Sequence, residues 1–364
     1  VKQTILFDLR HDCRRLFNEL SEHYDLIPLA PQKALQNEAP VLDNFTWCHS
    51  GRKYEFDETQ LVTAHMESVT GPVAFVQSLN PKPIACLLWN TVTPGHAATA
   101  LACRQRGIPV FEINHNRLET PLVGHFEINS QANYLVGSEG TAANRRSLGC
   151  PAELLEFGQP GYDDWLPKDR FQVRENIGLP PDRKYILKTS TWTHNYSMWS
   201  DRGLHVQAEN IILAVLAELQ SREEFSVIWT SRVKMDKEHV GNTLVAAGLD
   251  PKQIFVTDDV PIRDLVDASD VVFSQRSGVA IDAIMSGRPA LMLDVRPMTQ
   301  EGGATGLWAT GEVDTSSALL EEMLIEPEPF TEQQQMFREF WGGTHDAGEK
   351  LVDFIGELTC APSS

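Results

Sequence analysis

The stretch from Ser269 to Asp294, "SDVVFSQRSGVAIDAIMSGRPALMLD", decides the fold. An apolar run, Val271-Val272-Phe273, stops at the polar Ser274-Gln275-Arg276-Ser277-Gly278. A helical pattern follows, Gly287-Arg288-Pro289 closes it, and a second apolar run covers Ala290 to Leu293. Short apolar runs bounded by Gly and Pro read as buried strands, and strand, loop, helix, strand is the unit of a parallel, helix-covered sheet. In open sheets of this kind ligands bind where strand carboxyl ends lead into helices. Backbone N–H groups at a helix start, with the Ser277 hydroxyl and Arg276, suit a phosphate or another anion. Gly278 would let backbone and ligand approach closely, and Asp282, one turn further on, could accept both hydroxyls of a ribose.

The same alternation extends in both directions. Strands are expected at Thr4–Phe7, Leu26–Leu29, Gly71–Leu79, Ile84–Asn90, Ile108–Asn116 and Asn133–Ser138. Helices are expected at Arg14–Tyr24, where Leu16, Phe17 and Leu20 share a face, at Thr93–Gly107 and at Glu139–Leu148. The Gly-, Pro- and Asp-rich seam "GQPGYDDWLPKDRF" interrupts the pattern. Strands then resume at Tyr185–Thr191, Phe225–Ser231 and Ile254–Asp259, between helices at Ala208–Leu219, His239–Ala247 and Ile262–Ala268. Two last helices are expected at Ser316–Met323 and Asp346–Leu358. The reading is an α/β protein with domains at 1–160 and 161–345, and a terminal helix and tail at 346–364 that can pack back on the first domain.

A chain of 364 residues exceeds what one hydrophobic core usually supports. Its formal charge of −19 argues against nucleic-acid binding, which needs a basic footprint, and weakens docking on an anionic membrane through a basic patch. No apolar run approaches the ~18 residues of a membrane span, although peripheral contact stays compatible with the sequence. The six cysteines are scattered without a CxxC pair, and "VKQTILFDLRHDC" has no signal-peptide pattern, so a cytoplasmic location is expected.

The second half resembles the C-terminal domain of GT-B glycosyltransferases. Asp258, Leu265, Asp270, Ser277, Gly278, Asp282, Ala283, Gly287 and Pro289 occupy the order and spacing of that family's donor-binding segment. The nearest branches are bacterial surface-polysaccharide enzymes: CDP-glycerol glycerophosphotransferases, capsule and Kdo transferases and, more distantly, UDP-GlcNAc 2-epimerases. "ACRQRGIPVFEINHN" is similar to a strand that brings a histidine to the cleft, and "EFGQPGYDDW" to the inter-domain segment. The resemblance runs over roughly Ile84 to Leu358 and implies a GT-B fold, two Rossmann-like domains facing each other across a cleft. Three departures stand out: Asp282 replaces the usual Glu, "TSRVKMD" lacks the His-Pro of the glycerophosphate and capsule branches, and "DLRHD" replaces a glycine-rich turn.

The resemblance implies a transferase that moves a sugar or polyol phosphate from a nucleotide-activated donor to a glycan or glycolipid acceptor in polysaccharide biosynthesis. Arg276, Ser277, Gly278 and Asp282 would hold the donor nucleotide. Arg232 and Lys234, after the strand "FSVIWTS", would neutralise the departing diphosphate, a role that replaces a metal in many GT-B enzymes. Thr189, Ser190, Thr191 and His194, in the polar loop after "YILK", could hold phosphate oxygens. Three residues compete as the base that deprotonates the acceptor. His115 lies at a strand's carboxyl end and can take a proton at neutral pH, while Asp8 and His11 follow the first strand, with Arg10 available to an anionic acceptor. Trp192, Trp199 and Trp308 could stack on a base or sugar. No Asp-x-Asp, G-x-S-x-G, G-x-x-x-x-G-K-[ST] or H-E-x-x-H occurs, so neither a metal nor another cofactor is expected. A UDP-GlcNAc 2-epimerase-like isomerase and a non-catalytic nucleotide-binding partner are the alternatives.

Overall fold

The computed structural model describes residues 2–8, 13–29, 70–89, 91, 94–113, 130–147, 149–189, 202–222, 224–230, 237–275, 277–293, 308–309, 312–343 and 345–360. It divides into two compact units, Val1–Trp165 with Phe340–Ser364, and Leu166–Glu339.

In unit 1 the strands are β1 (Thr4–Asp8), β2 (Asp25–Pro28), β3 (Ala85–Leu88), β4 (Val110–Ile113), β5 (Tyr134–Val136) and β6 (Glu153–Leu155). All pair in parallel, in the order β2-β1-β3-β4-β5-β6. Helices cover both faces: α1 (Arg14–His23), α2 (70–78), α3 (Pro94–Gln105), α4 (Glu139–Ser147) and the returning terminal helix Ala347–Cys360. A strand exposes alternate residues to opposite faces. Accordingly Ile5, Leu87 and Phe111 pack with Leu16 and Leu20 of α1 and with Leu351 and Ile355 of the terminal helix. Leu6, Cys86, Leu88 and Val110 pack on the other side with Val76, Ala100 and Cys103.

The segment Gly71–Leu79, read above as a strand, is helical over 70–78. Val73, Val76 and Leu79 recur every third residue and turn one face to the core. Arg106 closes the helix by donating to the carbonyls of Val76 and, at 2.9 Å, Leu79. Tertiary burial thus outweighs the β-propensity of a valine- and phenylalanine-rich run.

The terminal helix is held at its start by Asp163, which lies in the seam. The Ala347 and Gly348 N–H groups donate to its two carboxylate oxygens at 3.2 and 2.7 Å. Burial pushes the Asp163 carboxyl up to about 6, against the pull of those two hydrogen bonds and of Arg15. His345 Nδ1 and Arg15 add bonds to the neighbouring carbonyls of Tyr162 and Asp163.

Unit 2 contains α5 (Arg170–Asn176), β7 (Lys184–Thr189), α6 (Arg202–Gln220), β8 (Phe225–Thr230), α7 (Lys237–Ala246), β9 (Ile254–Thr257) and α8 (Ile262–Ala268). It continues through β10 (Val271–Gln275), α9 (Val279–Met285), β11 (Ala290–Leu293), β12 (Trp308–Ala309) and α10 (Val313–Ile325). Helix α11 (Glu328–Gly342) carries the chain back into unit 1, and the terminal helix Ala347–Cys360 is α12. Its sheet is also all parallel, in the order β12-β11-β10-β7-β8-β9. Ile186, Val227, Trp229, Val271, Phe273, Leu291 and Leu293 form one face, packed on α6 and α10.

Four elements had no clear signal in the sequence: β6, β12, α5 and α11. Helix α11 is attached to unit 2 through a polar residue. Buried Gln334 accepts from Ala290 N at 3.1 Å and donates to Ala290 O at 2.9 Å, a pairing that hydrophobic periodicity does not reveal. At the amino end of the sheet, Asp270 fastens β7 to β10. Its carboxylate accepts from Tyr185 N, Arg174 and Arg170, each at 2.7 Å. Arg174, 2% exposed, also donates to the carbonyls of Pro181, Arg183 and Ala268. The aspartate of the family-like pattern at this position is therefore a structural fastener.

Candidate active site

Each sheet has one place where the strand order reverses. In unit 1 it lies between β1 and β3, and in unit 2 between β7 and β10. At such a reversal, in sheets of this kind, the connections from neighbouring strands run to opposite faces, and the carboxyl ends between them are where a ligand crevice is expected.

At the unit 2 crevice the strands present a row of hydroxyls. Thr189 pairs with Thr230, and Thr230 with Thr257. The register Val272↔Leu187, continued by two residues, brings Ser274 beside Thr189. Paired residues of parallel strands share a face, so the four side chains cross β9, β8, β7 and β10 in one line. All four are buried. Thr257 Oγ1 accepts from Asp259 N at 3.3 Å. Thr189 Oγ1 and Ser274 Oγ, which flank the reversal, have no hydrogen-bond partner among the described residues. Buried hydroxyls are nearly always paired, so two orphans side by side at a crevice ask for a ligand or water with acceptor oxygens.

The opposite face of the same strand ends is braced by charge. Lys188, fully buried, forms an ion pair with Glu209 of α6 and lies 3.7 Å from the centre of the Trp229 ring. Glu209 also accepts from Gln275 Nε2 at 3.0 Å. Burial pushes the Lys188 ammonium below its usual range, and Glu209 opposes that shift. The network ties α6 to the last residues of both strands at the reversal.

Ser277 is half-buried just beyond β10, and its Oγ accepts from Val279 N at 3.3 Å. Gly278 has a φ of −56°, a backbone conformation open to any residue. Asp282 stands in the first turn of α9 with its side chain buried. Arg276, Arg232, Lys234, Ser190, Thr191 and His194 lie outside the described residues, as do Trp192 and Trp199.

At the unit 1 crevice, Asp8 ends β1 and His96 stands in the first turn of α3, directly after β3. His96 Nε2 lies 2.7 Å from Asp8 Oδ2. The Trp89 ring meets the imidazole edge-on, with centroids 5.3 Å apart and planes at 80°. Trp89 N donates to Asp8 O at 3.0 Å, which fixes the backbone of the pair. Of the rival bases, Asp8 is at this site, whereas His11 and His115 lie outside the described residues, with Arg10.

Glu112, on the same strand as His115, is engaged elsewhere. Its Oε2 accepts from Thr91 at 2.5 Å and from Ser130 at 2.9 Å, and fully buried Arg145 stands 3.8 Å from Oε1. This cluster locks the carboxyl end of β4 to the segments that flank it.

The sequence does not single out His96, since "TPGHAATALACRQRG" carries only a helical pattern. It marks Thr189 but not Thr230, Thr257 and Ser274, although four apolar runs end alike: "ILKT", "VIWT", "IFVT" and "VVFS". Among the described residues no group of three or more His, Cys, Asp or Glu could hold a metal ion, and no helix is long and apolar enough to cross a membrane.

No protein-family model matches the chain, and no curated protein matches it in sequence. Solved structures match its fold. UDP-GlcNAc 2-epimerase of Neisseria meningitidis, bound to UDP-GlcNAc, has a TM-score of 0.65 at 14% identity, over 98% of this chain and 100% of that one. S. aureus MnaA, in a co-structure with UDP, has a TM-score of 0.64 at 16% identity and is covered completely in both chains. A variant of the wall teichoic acid polymerase TagF has a TM-score of 0.54 at 14% identity, over 98% of this chain and 89% of that one. The fold is the α/β, GT-B type that these epimerases and the polymerase share.

Proposed function

We propose that this protein is an enzyme acting on a nucleotide-activated sugar, with the phosphates of the nucleotide bound at the unit 2 crevice. The observation that carries the reading is the pair of orphan hydroxyls, Thr189 Oγ1 and Ser274 Oγ, at the reversal of the strand order. Hydroxyls in a buried row can donate to phosphate oxygens without a desolvated counter-charge, and hydrogen bonds to a charged group are the stronger kind. Ser277 and Asp282, with Arg276, Arg232 and Lys234 from the sequence, would complete the nucleotide site. Two similar structures hold UDP-GlcNAc or UDP, which favours a uridine nucleotide.

The first reaction class is isomerisation of the 2-epimerase type. Its support is a fold shared with such epimerases over 98% or more of both chains. The second is transfer of a sugar or polyol phosphate to a glycan or glycolipid acceptor, and it draws on the likeness to TagF. Neither reading calls for a metal, since basic residues near the phosphates would carry that charge; activity should survive EDTA. The scattered cysteines are in keeping with a cytoplasmic site of action.

A thermal-shift panel of UDP, CDP, GDP and dTDP species tests the common part, because a ligand that prefers the folded state raises the melting point. Proton NMR of UDP-GlcNAc incubated with the protein alone separates the two reactions: a second sugar nucleotide appears for the isomerase and none for the transferase. If no nucleotide in the panel moves the melting point, the proposed function is wrong.

A further inference from the structure

We infer that Asp8 is the catalytic residue that meets the substrate as a base, and that His96, hydrogen-bonded to it, is the residue that positions it. The inference rests on the preceding reading, since its substrate is the sugar. Its own grounds are geometric.

The reversal lies between β1 and β3, and adjacent strands deliver these two side chains to it, one at the end of β1 and one at the start of the helix after β3. Their separation, 2.7 Å between Nε2 and Oδ2, is that of a charge-assisted hydrogen bond. Exposure separates their roles. The side chain of Asp8 is 35% exposed and that of His96 only 15%, so the carboxylate is the member a substrate reaches. Trp89 backs the imidazole edge-on. Glu112, a carboxylate at the end of the neighbouring strand β4, is 2% exposed with its oxygens engaged by Thr91, Ser130 and Arg145, and so is out of reach.

The chemistry follows from this arrangement. With Oδ2 held by the imidazole, Asp8 Oδ1 takes the proton of a sugar hydroxyl. The O–H electron pair stays on the sugar oxygen, and the reverse step returns the proton. His96 removes the rotational freedom of the carboxylate, which is worth rate because a small misplacement of a reacting group is costly.

The test compares kcat and KM for UDP-sugar turnover in wild type, Asp8→Asn, His96→Ala and His96→Gln, together with the rise in melting point caused by UDP. Asp8→Asn should lower kcat by about 100-fold or more. His96→Ala should lower kcat by about 10- to 100-fold. KM and the UDP-induced shift should be nearly unchanged, and that shift also reports that the variants are folded. His96→Gln, whose amide can still donate to the carboxylate, should recover most of the rate. A His96→Ala enzyme with the wild-type kcat, a loss confined to KM, or a Gln variant as slow as the Ala variant overturns this assignment alone. A wild type that neither binds UDP nor turns over any nucleotide sugar overturns the preceding reading and this assignment with it.

Discussion

Replacing Asp163 with asparagine should flatten a pH dependence built into the attachment of α12. Asp163 is 5% exposed, and its carboxyl is raised from 3.8 to about 6, chiefly by burial. The folded state therefore binds a proton more tightly than the unfolded chain. Stability from this group is full below pH 4 and is lost as pH rises through about 6. A displacement of about two units corresponds to about 3 kcal/mol over the whole range, and to about 1 kcal/mol between pH 5 and 7. Asparagine is isosteric with the protonated acid and does not titrate. It can accept only through Oδ1, so one of the bonds from Ala347 N and Gly348 N is lost at a constant offset of about 1 kcal/mol.

Hydrogen exchange of the α12 amides, read by mass spectrometry, gives the opening constant of the helix in each protein. The ratio of wild type to variant cancels both the intrinsic exchange chemistry and the groups the two share, among them Glu19, Arg15 and His345. That ratio should rise about tenfold from pH 5 to 7. A ratio independent of pH would refute the argument that burial of Asp163, rather than its hydrogen bonds, dominates this contact.

Thr189→Val replaces an orphan buried hydroxyl with a methyl, so the protein should gain about 1 kcal/mol of stability while UDP binds about tenfold more weakly, both readable in one thermal-shift titration. Glu209→Ala strands the ammonium of Lys188, which is fully buried, and should cost about 3 kcal/mol in urea unfolding; Lys188→Met, which removes the charge itself, should cost clearly less. Gly140→Ala would place a Cβ 2.7 Å from Phe340 Cε1 and 2.9 Å from Trp341 Cε3, and should lower stability by about 1–3 kcal/mol, measured as a drop in melting temperature.

Most strands of both sheets, though not the edge strands β6 and β12, were legible because parallel strands are apolar on both faces: "ILKT", "VIWT", "IFVT" and "VVFS" stand out as compact runs between polar turns. What escaped was register and polar packing. Each of the hydroxyls Thr189, Thr230, Thr257 and Ser274 is visible at the end of its run, but their alignment depends on pairing between segments far apart in the chain. His96 escaped for a similar reason: its partner is 88 residues away, and a lone histidine in an alanine-rich helix carries no local signal. Asp270 falls within the family-like pattern, and nothing local in the sequence shows its bonds to Arg170, Arg174 and Tyr185 at the other end of the strands. Valine and phenylalanine at Val73, Phe75 and Val76 imitate a strand until the helix is seen burying them.

The composition of unit 1 from two distant stretches has a consequence for biosynthesis. A ribosome releases the strands of the first sheet before unit 2, but Leu351 and Ile355, which cover one of its faces, emerge after unit 2. Unit 2, continuous over Leu166–Glu339, is complete before them. The later-made half can thus fold first, while the nascent earlier half keeps an oily surface open and in need of chaperone cover until the tail arrives.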